Sequence, residues 1–239
     1  MHTRRINKIK VAGVALLVGF AALLLYQFGL FVMVLWLSVR NPGSSAFMDA
    51  TLNHLRGIDP KATLKYQWVP YDHISNSLKR AVIASEDANF IDHEGIEWDA
   101  IRKAWEYNRR QSSKGKTKMR GGSTITQQLA KNLFLSQSRS YWRKGQELVL
   151  TYMIELVMDK KRILEIYLNI AQWGSNVFGA QAAAQHYYRT SAAKLTQYQA
   201  ARLATMLPNP VYYDKNRNSS YLNSRSNTIQ KRMRLVDIP

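Results

Sequence analysis

ELVLTYMIELVMDKKRILEIYLN, residues 147–169, decides the fold class of this chain. Leu150, Ile154, Val157 and Met158 recur at helical spacing, and Ile163, Leu164, Tyr167 and Leu168 repeat it further on. This period lines up apolar side chains on one face of a helix, whereas a half-buried strand would alternate every second residue. On either side of the stretch the same reading continues. Ile74, Leu78 and Val82 share the spacing, and the runs 180–184 and 200–206 add two short helices rich in good helix formers. Alternating strand patterns are scarce, and there is no internal repeat or low-complexity tract. The chain is predicted to be all-α.

The first forty residues set the broader class. From Val11 to Val39 no side chain is charged, and the run exceeds the roughly 20 apolar residues needed to cross a bilayer. A cleaved signal peptide has an apolar core of only about 7–15 residues, so an uncleaved transmembrane anchor is expected. Arg4, Arg5, Lys8 and Lys10 precede it, while only Arg40 and Arg56 follow closely, which predicts a cytoplasmic amino terminus and an exported remainder. The organisation read from sequence is a tail over 1–10, an anchor over 11–39, a linker with some helical character over 40–67, and a folded domain over 68–239. Asn41-Pro42-Gly43-Ser44-Ser45 marks the break after the anchor. The absence of cysteine excludes disulfides and thiolate metal sites.

The net charge is +18; four of the 34 basic residues and none of the 16 acidic ones lie before residue 40, leaving +14 on the exported part. Such a surplus implies an anionic partner: acidic headgroups, nucleic acid or a phosphorylated substrate. It is concentrated between Glu106 and Glu147, where Arg109, Arg110, Lys114, Lys116, Lys118, Arg120, Lys131, Arg139, Arg143 and Lys144 meet no acidic residue. For residues 109–120 an ordinary solvated loop explains the charges as well as a binding surface does. Lys131, Arg139, Arg143 and Lys144 instead stand among apolar and aromatic residues.

The loop leads into Gly121-Gly122-Ser123-Thr124-Ile125-Thr126-Gln127-Gln128-Leu129-Ala130-Lys131-Asn132. The glycines permit close backbone approach, and Thr124 with Gln127 forms a capping-box pattern at a helix start, whose free amides could bind a phosphate. Thr124, Gln128 and Lys131 share helical spacing, so a hydroxyl, an amide and an ammonium are expected on one face. Glu86 continues the stripe of Leu78 and Val82, which leaves it either paired in the interior or placed at a cleft wall. Glu147 lies on the core-facing side of its helix with Arg143 and Lys144 one turn earlier, where a simple salt bridge is the ordinary explanation.

Together with Glu86-Asp87-Ala88-Asn89-Phe90-Ile91-Asp92-His93-Glu94-Gly95, the twelve residues from Gly121, Arg143-Lys144-Gly145-Gln146-Glu147 and Arg162-Ile163-Leu164-Glu165-Ile166-Tyr167-Leu168-Asn169 resemble, in order, the motifs of the peptidoglycan glycosyltransferases. That family comprises monofunctional biosynthetic transglycosylases and the amino-terminal module of bifunctional penicillin-binding proteins. The resemblance covers about residues 68–213, and the shortness of the chain beyond it favours the monofunctional branch. Ser113-x-x-Lys116 and Ser191-x-x-Lys194 match the short serine motif of penicillin-binding domains by chance, since no Lys-Thr-Gly accompanies them.

The resemblance implies a lysozyme-like head with a smaller membrane-facing lobe. It makes Glu86 the general base and Glu147 the second cleft carboxylate. Lys131 and Arg139 match ligands of the donor diphosphate, with Ser123, Thr124, Gln127, Gln128, Asn132, Arg143 and Lys144 lining the same site; Asp87, Phe90, His93 and Asn169 are expected as supports. The implied reaction joins the 4-hydroxyl of one lipid II to the anomeric carbon of the lipid-linked growing chain, with inversion and release of polyprenyl diphosphate. No metal-ligand set is read from the sequence and no cofactor is assigned; a divalent cation such as Mg on the diphosphate is compatible with the chemistry. The implied partners are lipid II, the lipid-linked glycan chain, the membrane and other cell-wall synthesis or division proteins, without nucleic acid, at the bacterial inner membrane. Two alternatives stand beside it: a membrane-tethered lytic glycanase, and a non-enzymatic module binding anionic lipid or nucleic acid. The acid-free cationic stretch argues against the first, and the absence of aromatics from Arg109 to Lys131 argues against the second.

Overall fold

The computed structural model describes residues 2–115, 121–135 and 140–239, and side chains from residue 11 onward. The chain divides into two units at Arg40 and Asn41. The first is one helix, α1 (His2–Val39), whose stretch Val11–Val39 is long and apolar enough to cross a membrane. Its large side chains, Leu16, Leu17, Leu25 and Phe28 among them, are mostly exposed. A core helix of that composition would be buried in protein, so the exposure is compatible with a single-pass membrane anchor.

The second unit, residues 41–239, is helical as the periodicity predicts. The elements in chain order are α2 (Ala46–Ile58), β1 (Lys65–Tyr66), α3 (Asn76–Glu86), α4 (Trp98–Ser112), α5 (Ile125–Phe134), α6 (Tyr141–Val157) and α7 (Lys160–Ile170). They continue with β2 (Val177–Phe178), α8 (Ala180–Tyr188), α9 (Gln197–Met206), α10 (Pro210–Lys215) and α11 (Ser220–Arg232). The only sheet among the described residues is the two-residue parallel pair β1–β2, in register Lys65 with Val177.

Local chemistry starts most of these helices. Ser45, Ser75, Ser140 and Asp159 each accept a hydrogen bond from the amide three residues on, satisfying a donor that the first helical turn leaves orphaned. Thr196 and Gln199 cap α9 reciprocally, and Pro210 occupies the start of α10, where its missing N–H costs nothing. α8 follows Gly179 at φ +82°, where a Cβ would meet the Asn169 carbonyl oxygen at 2.5 Å; only glycine allows this junction.

Two packed groups form the core. α3, α9 and α11 pack on one another, and α5 lies among α2, α6 and α7. Of the residues that set the period, Leu150, Ile154, Met158, Ile163, Leu164, Tyr167 and Leu168 are buried and Val157 is half-buried. Segment 40–67, read from sequence as a linker, holds α2 and β1 and from Asn41 onward belongs to the second unit, because Met48 and Thr51 bury one face of α2 against the domain. Residues 109–112, read as loop, are the last turn of α4; Arg109 and Arg110 there complement the helix dipole, and Arg109 lies over the Trp105 ring at 5.1 Å. Lys116, Lys118 and Arg120 fall outside the described residues.

Candidate active site

Glu86 is the last residue of α3 and is only partly exposed. Its Oε2 accepts a 3.0 Å hydrogen bond from Gln128 Nε2 on α5, and its Oε1 accepts one of 3.2 Å from Ser85 Oγ. The Tyr167 hydroxyl of α7 donates to Gln128 Oε1 at 2.9 Å, which fixes the amide with its NH₂ group toward the carboxylate. Burial raises the Glu86 pKa above the usual carboxylate value; the Gln128 and Ser85 hydrogen bonds and the Arg225 charge oppose this, and the Asp87 charge reinforces it. The result is a carboxylate with no ion-pair partner among the described residues, more basic than a solvated one.

Asp87 ties this carboxylate to the start of α5. It is buried, with Oδ2 accepting from the Ile125 amide at 2.9 Å and Oδ1 bonded to His93 Nε2 at 2.9 Å. His93 Nδ1 accepts from the Gly95 amide at 3.1 Å, so the ring proton sits on Nε2 and the imidazole donates to Asp87. Gly95 itself, at φ +82°, leaves no room for a side chain, since a Cβ would lie 2.7 Å from carbons of Thr151 and Glu155.

The capping box read at Thr124 and Gln127 is formed. Thr124 Oγ1 also donates to the Gly95 carbonyl at 2.5 Å, and both side chains are buried. With Thr124 N on Gln127, Ile125 N on Asp87, Gln127 N on Thr124 and Gln128 N on the Thr124 carbonyl, these amides at the helix start are occupied within the protein. The expected phosphate on free amides is therefore not available at these four. Thr124 and Gln127 build the turn, while Ser123 is exposed, Gln128 faces Glu86, and Asn132 is buried on the same helix. Gly122 allows α5 to follow closely on α4, because a Cβ would sit 3.1 Å from Ile101 Cα; Gly121 faces open space.

The cations gather around the second carboxylate. Glu147 is buried, its Oε2 accepting from Arg143 Nη1 at 3.0 Å and its Oε1 from Lys144 Nζ at 2.5 Å. Lys131 makes no ion pair among the described residues. Burial lowers its pKa, Glu147 opposes that, and Arg143 and Lys144 add to it. Lys131, Arg143 and Lys144 against Glu147 leave a local surplus of positive charge. The structure thus brings together Glu86, Gln128, Lys131, Arg143, Lys144 and Glu147, whereas Arg139 lies outside the described residues.

Supports predicted from sequence have identifiable partners. Asn169 Oδ1 accepts from the Val69 amide and its Nδ2 donates to the carbonyls of Val69 and Glu165, each at 2.9 Å, while Phe90 is fully buried. Sequence reasoning missed Ser85, the orienting hydroxyl of Tyr167, and Arg225 on α11. Tyr167 carried only an apolar-period signal and Arg225 none.

Asp87, His93 and Glu97 bring three possible metal-ligating atoms within 4.8 Å. Each already holds a hydrogen bond within the protein: Asp87 takes Ile125 N and His93, His93 takes Gly95 N, and Glu97 takes Asn89 Nδ2 at 2.8 Å. The set fits a hydrogen-bonded brace rather than a metal cage.

Residues 53–234 match the family model described as Transglycosylase. This chain belongs to the transglycosylase family. It is 66% identical over 236 residues to the biosynthetic peptidoglycan transglycosylase of Bordetella pertussis, covering 99% of this chain and 98% of that protein. Proteins of the same name from Herminiimonas arsenicoxydans and Methylobacillus flagellatus are 58% and 55% identical, each over 94% of this chain and 95% and 96% of their own length. The all-α fold matches the expectation drawn from the transglycosylase motifs.

Proposed function

We propose that Glu86 and the Lys131–Arg143–Lys144 cluster divide between them the chemistry by which this transglycosylase polymerises peptidoglycan. The observation that carries this reading is the contrast between two carboxylates about one site. Glu86 is bound only by neutral donors, and Glu147 is held by two cations.

The transfer attaches the sugar 4-hydroxyl of an acceptor lipid II to the anomeric carbon of the lipid-linked growing chain. The O–H proton passes to Glu86 as the new C–O bond forms, and the anomeric bond to diphosphate breaks with its electron pair leaving on the diphosphate. Burial suits Glu86 to accept that proton, and the Gln128 hydrogen bond favours its ionised form. A diphosphate leaving group needs neutralisation of its charge more than a proton, and Lys131, Arg143 and Lys144 supply positive charge already in place. Direct displacement inverts the anomeric centre.

Glu147 positions Arg143 and Lys144 rather than acting as a second base, since both of its oxygens are engaged by cations. The same occupancy leaves it a poor pre-built metal ligand, so a cation such as Mg would arrive on the substrate diphosphate. A lytic glycanase expelling an alcohol needs a proton-donating acid opposite its base, a role the cation-saturated Glu147 does not fit. A module that only binds anionic lipid or nucleic acid has no use for the isolated carboxylate of Glu86.

The substrate's lipid accounts for α1, because tethering the site at a bilayer raises the effective concentration of membrane-borne sugars. The flanking charges favour a cytoplasmic amino terminus and a domain on the outer face of the bacterial inner membrane. Exposed Trp98 and Trp105 on α4 and Tyr141 and Trp142 on α6 suit a domain lying at a membrane interface. Incubation of the full chain in detergent with labelled lipid II tests the reading. Glycan polymer with release of polyprenyl diphosphate is expected; cutting of finished glycan, or no turnover, overturns it.

A further inference from the structure

A second constellation lies outside the reaction site, where β1, α8 and the segment after α10 meet. A cavity of about 440 Å³ is lined by Leu64, Lys65, Tyr66, Gln67, Gln185 and His186, together with Ala182. Lys65 Nζ stands 3.1 Å from His186 Nδ1, and Arg217 Nη2 stands 3.0 Å from His186 Nε2. The carboxylate of this group is Asp214, which accepts from Ser175 N at 3.1 Å, Tyr187 Oη at 2.9 Å and Arg217 Nη2 at 2.8 Å, and lies 3.3 Å from His186 Nε2. Burial alone would raise the Asp214 pKa, but these four hydrogen bonds outweigh it and hold it at about 2.

Asp214 is therefore saturated, and Lys65 gains nothing from it. Among the described residues the only partner of Lys65 Nζ is a ring nitrogen of His186, so an exposed lysine stands at the cavity with no carboxylate paired to it. Gln67 and Gln185, both exposed, add amide donors to the same walls. One lysine without an ion-pair partner among the described residues and two amides on the walls of a polar cavity form a recognition set for a phosphate oxyanion, while Arg217 stays paired with Asp214 behind His186.

The cavity also has a known distance along the chain from the apolar helix. Tyr66 Oη donates to the Pro42 carbonyl at 3.2 Å, and Pro42 follows Val39 by three residues, a reach of at most about 11 Å. On the reading that α1 is a membrane anchor, on which this inference rests, β1 is pinned to the segment that emerges at headgroup level. We propose that the cavity lined by Lys65, Gln67, Gln185 and His186 binds the phosphodiester headgroup of an anionic phospholipid, giving the domain a lipid site separate from the one that takes substrate.

The test uses the full chain in neutral detergent micelles, titrated with short-chain phosphatidylglycerol, short-chain phosphatidylcholine and inorganic phosphate, with binding followed by native mass spectrometry. Phosphatidylglycerol should bind at least about five-fold more tightly than phosphatidylcholine, the discrimination expected for about one cation acting at an anionic surface. Lys65→Gln should remove that preference, and Lys61→Gln none of it. Lys65 is exposed and ion-pairs with no carboxylate among the described residues, so its loss should leave the melting temperature and the turnover of lipid II in micelles unchanged. Equal binding by wild type and Lys65→Gln overturns the proposal, as does inorganic phosphate binding as tightly as phosphatidylglycerol, which would make the ligand a free anion. Loss of lipid II turnover in the wild type would instead strike the catalytic reading.

Discussion

Tyr167→Phe tests whether the base is tuned from a distance. The substitution keeps the buried ring and deletes one hydroxyl, the one that donates to Gln128 Oε1 at 2.9 Å. Without it the Gln128 amide loses the contact that fixes its orientation, and turning over would place its oxygen against Glu86 Oε2 in place of the donor now 3.0 Å away. A hydrogen bond to a charged group contributes about 1.5–3 kcal/mol, and about 1.4 kcal/mol corresponds to one pKa unit. Full loss would therefore raise the Glu86 pKa by about one to two units, and partial turning by about one. Because the reaction needs ionised Glu86, the acid limb of the kcat/KM profile against pH should move up by about that amount. The rate below the limb should fall about ten-fold per unit while the plateau above it is largely recovered. The assay is initial polymerisation of labelled lipid II in detergent across the pH range, with Gln128→Met alongside. Gln128→Met should shift the limb in the same direction, and adding Tyr167→Phe to it should shift it little further. A uniform loss at every pH with an unmoved limb would refute the relay and leave Tyr167 a packing residue.

Glu86→Gln should lower turnover by about 10²–10⁴-fold and yet raise the melting temperature at neutral pH. Folding raises the pKa of Glu86 above its unfolded value, so the ionised form destabilises the fold at high pH and the penalty vanishes as pH falls below the ordinary glutamate value of 4.5. The stability gap between variant and wild type should close accordingly in thermal melts on acidification, and a gap independent of pH would contradict the assignment. Lys131→Ala should cost about 10²-fold in kcat through weaker stabilisation of the departing diphosphate, and Arg109→Ala, at the exposed end of α4, much less; equal defects would mean a diffuse field rather than specific ligands. A chain beginning near Ser44 should still polymerise lipid II in micelles and be slower in liposomes, because the motif residues all lie beyond residue 68. Inactivity in micelles as well would make α1 part of the substrate site.

The helices were legible wherever burial is one-sided, because a 3.6-residue period is what a one-sided core imposes; α6 is the clearest case, whereas α7 is buried all round from Ile166 to Ile170 and was read from its apolar content as much as its period. α2 was less legible because it buries only Met48 and Thr51 among the described residues, too few to set a period. In the site, residue types came through better than pairings. Glu86 and Glu147 both appeared as acids on apolar stripes, Glu86 expected either in an interior pair, which the structure does not show among the described residues, or at a cleft wall, and Glu147 in a local salt bridge. That bridge is local, three and four residues apart, whereas the Gln128 contact spans 42 residues and the Tyr167 contact 39. Contacts made across helices leave no spacing to read. The same holds for Asp87, whose bond to Ile125 joins α3 to α5 across 38 residues.

That long-range bond also explains why the glycine-rich turn is so constrained. Asp87, Thr124, Gln127 and Gly95 together close the start of α5 on itself, so its amides serve the fold and the anion must be met by side chains further along the helix and on α6. Lys131 lies seven residues past Thr124, about 10 Å along the axis, and it is there that Arg143, Lys144 and Glu147 approach. The arrangement separates two requirements that conflict in one place. A base must keep its affinity for a proton, which nearby cations would lower, and a diphosphate must meet cations, which would suppress any base among them. Gln128, one turn before Lys131 on the same helix, lies between the two: its neutral amide orients Glu86 without adding charge, and the cations begin on the next turn.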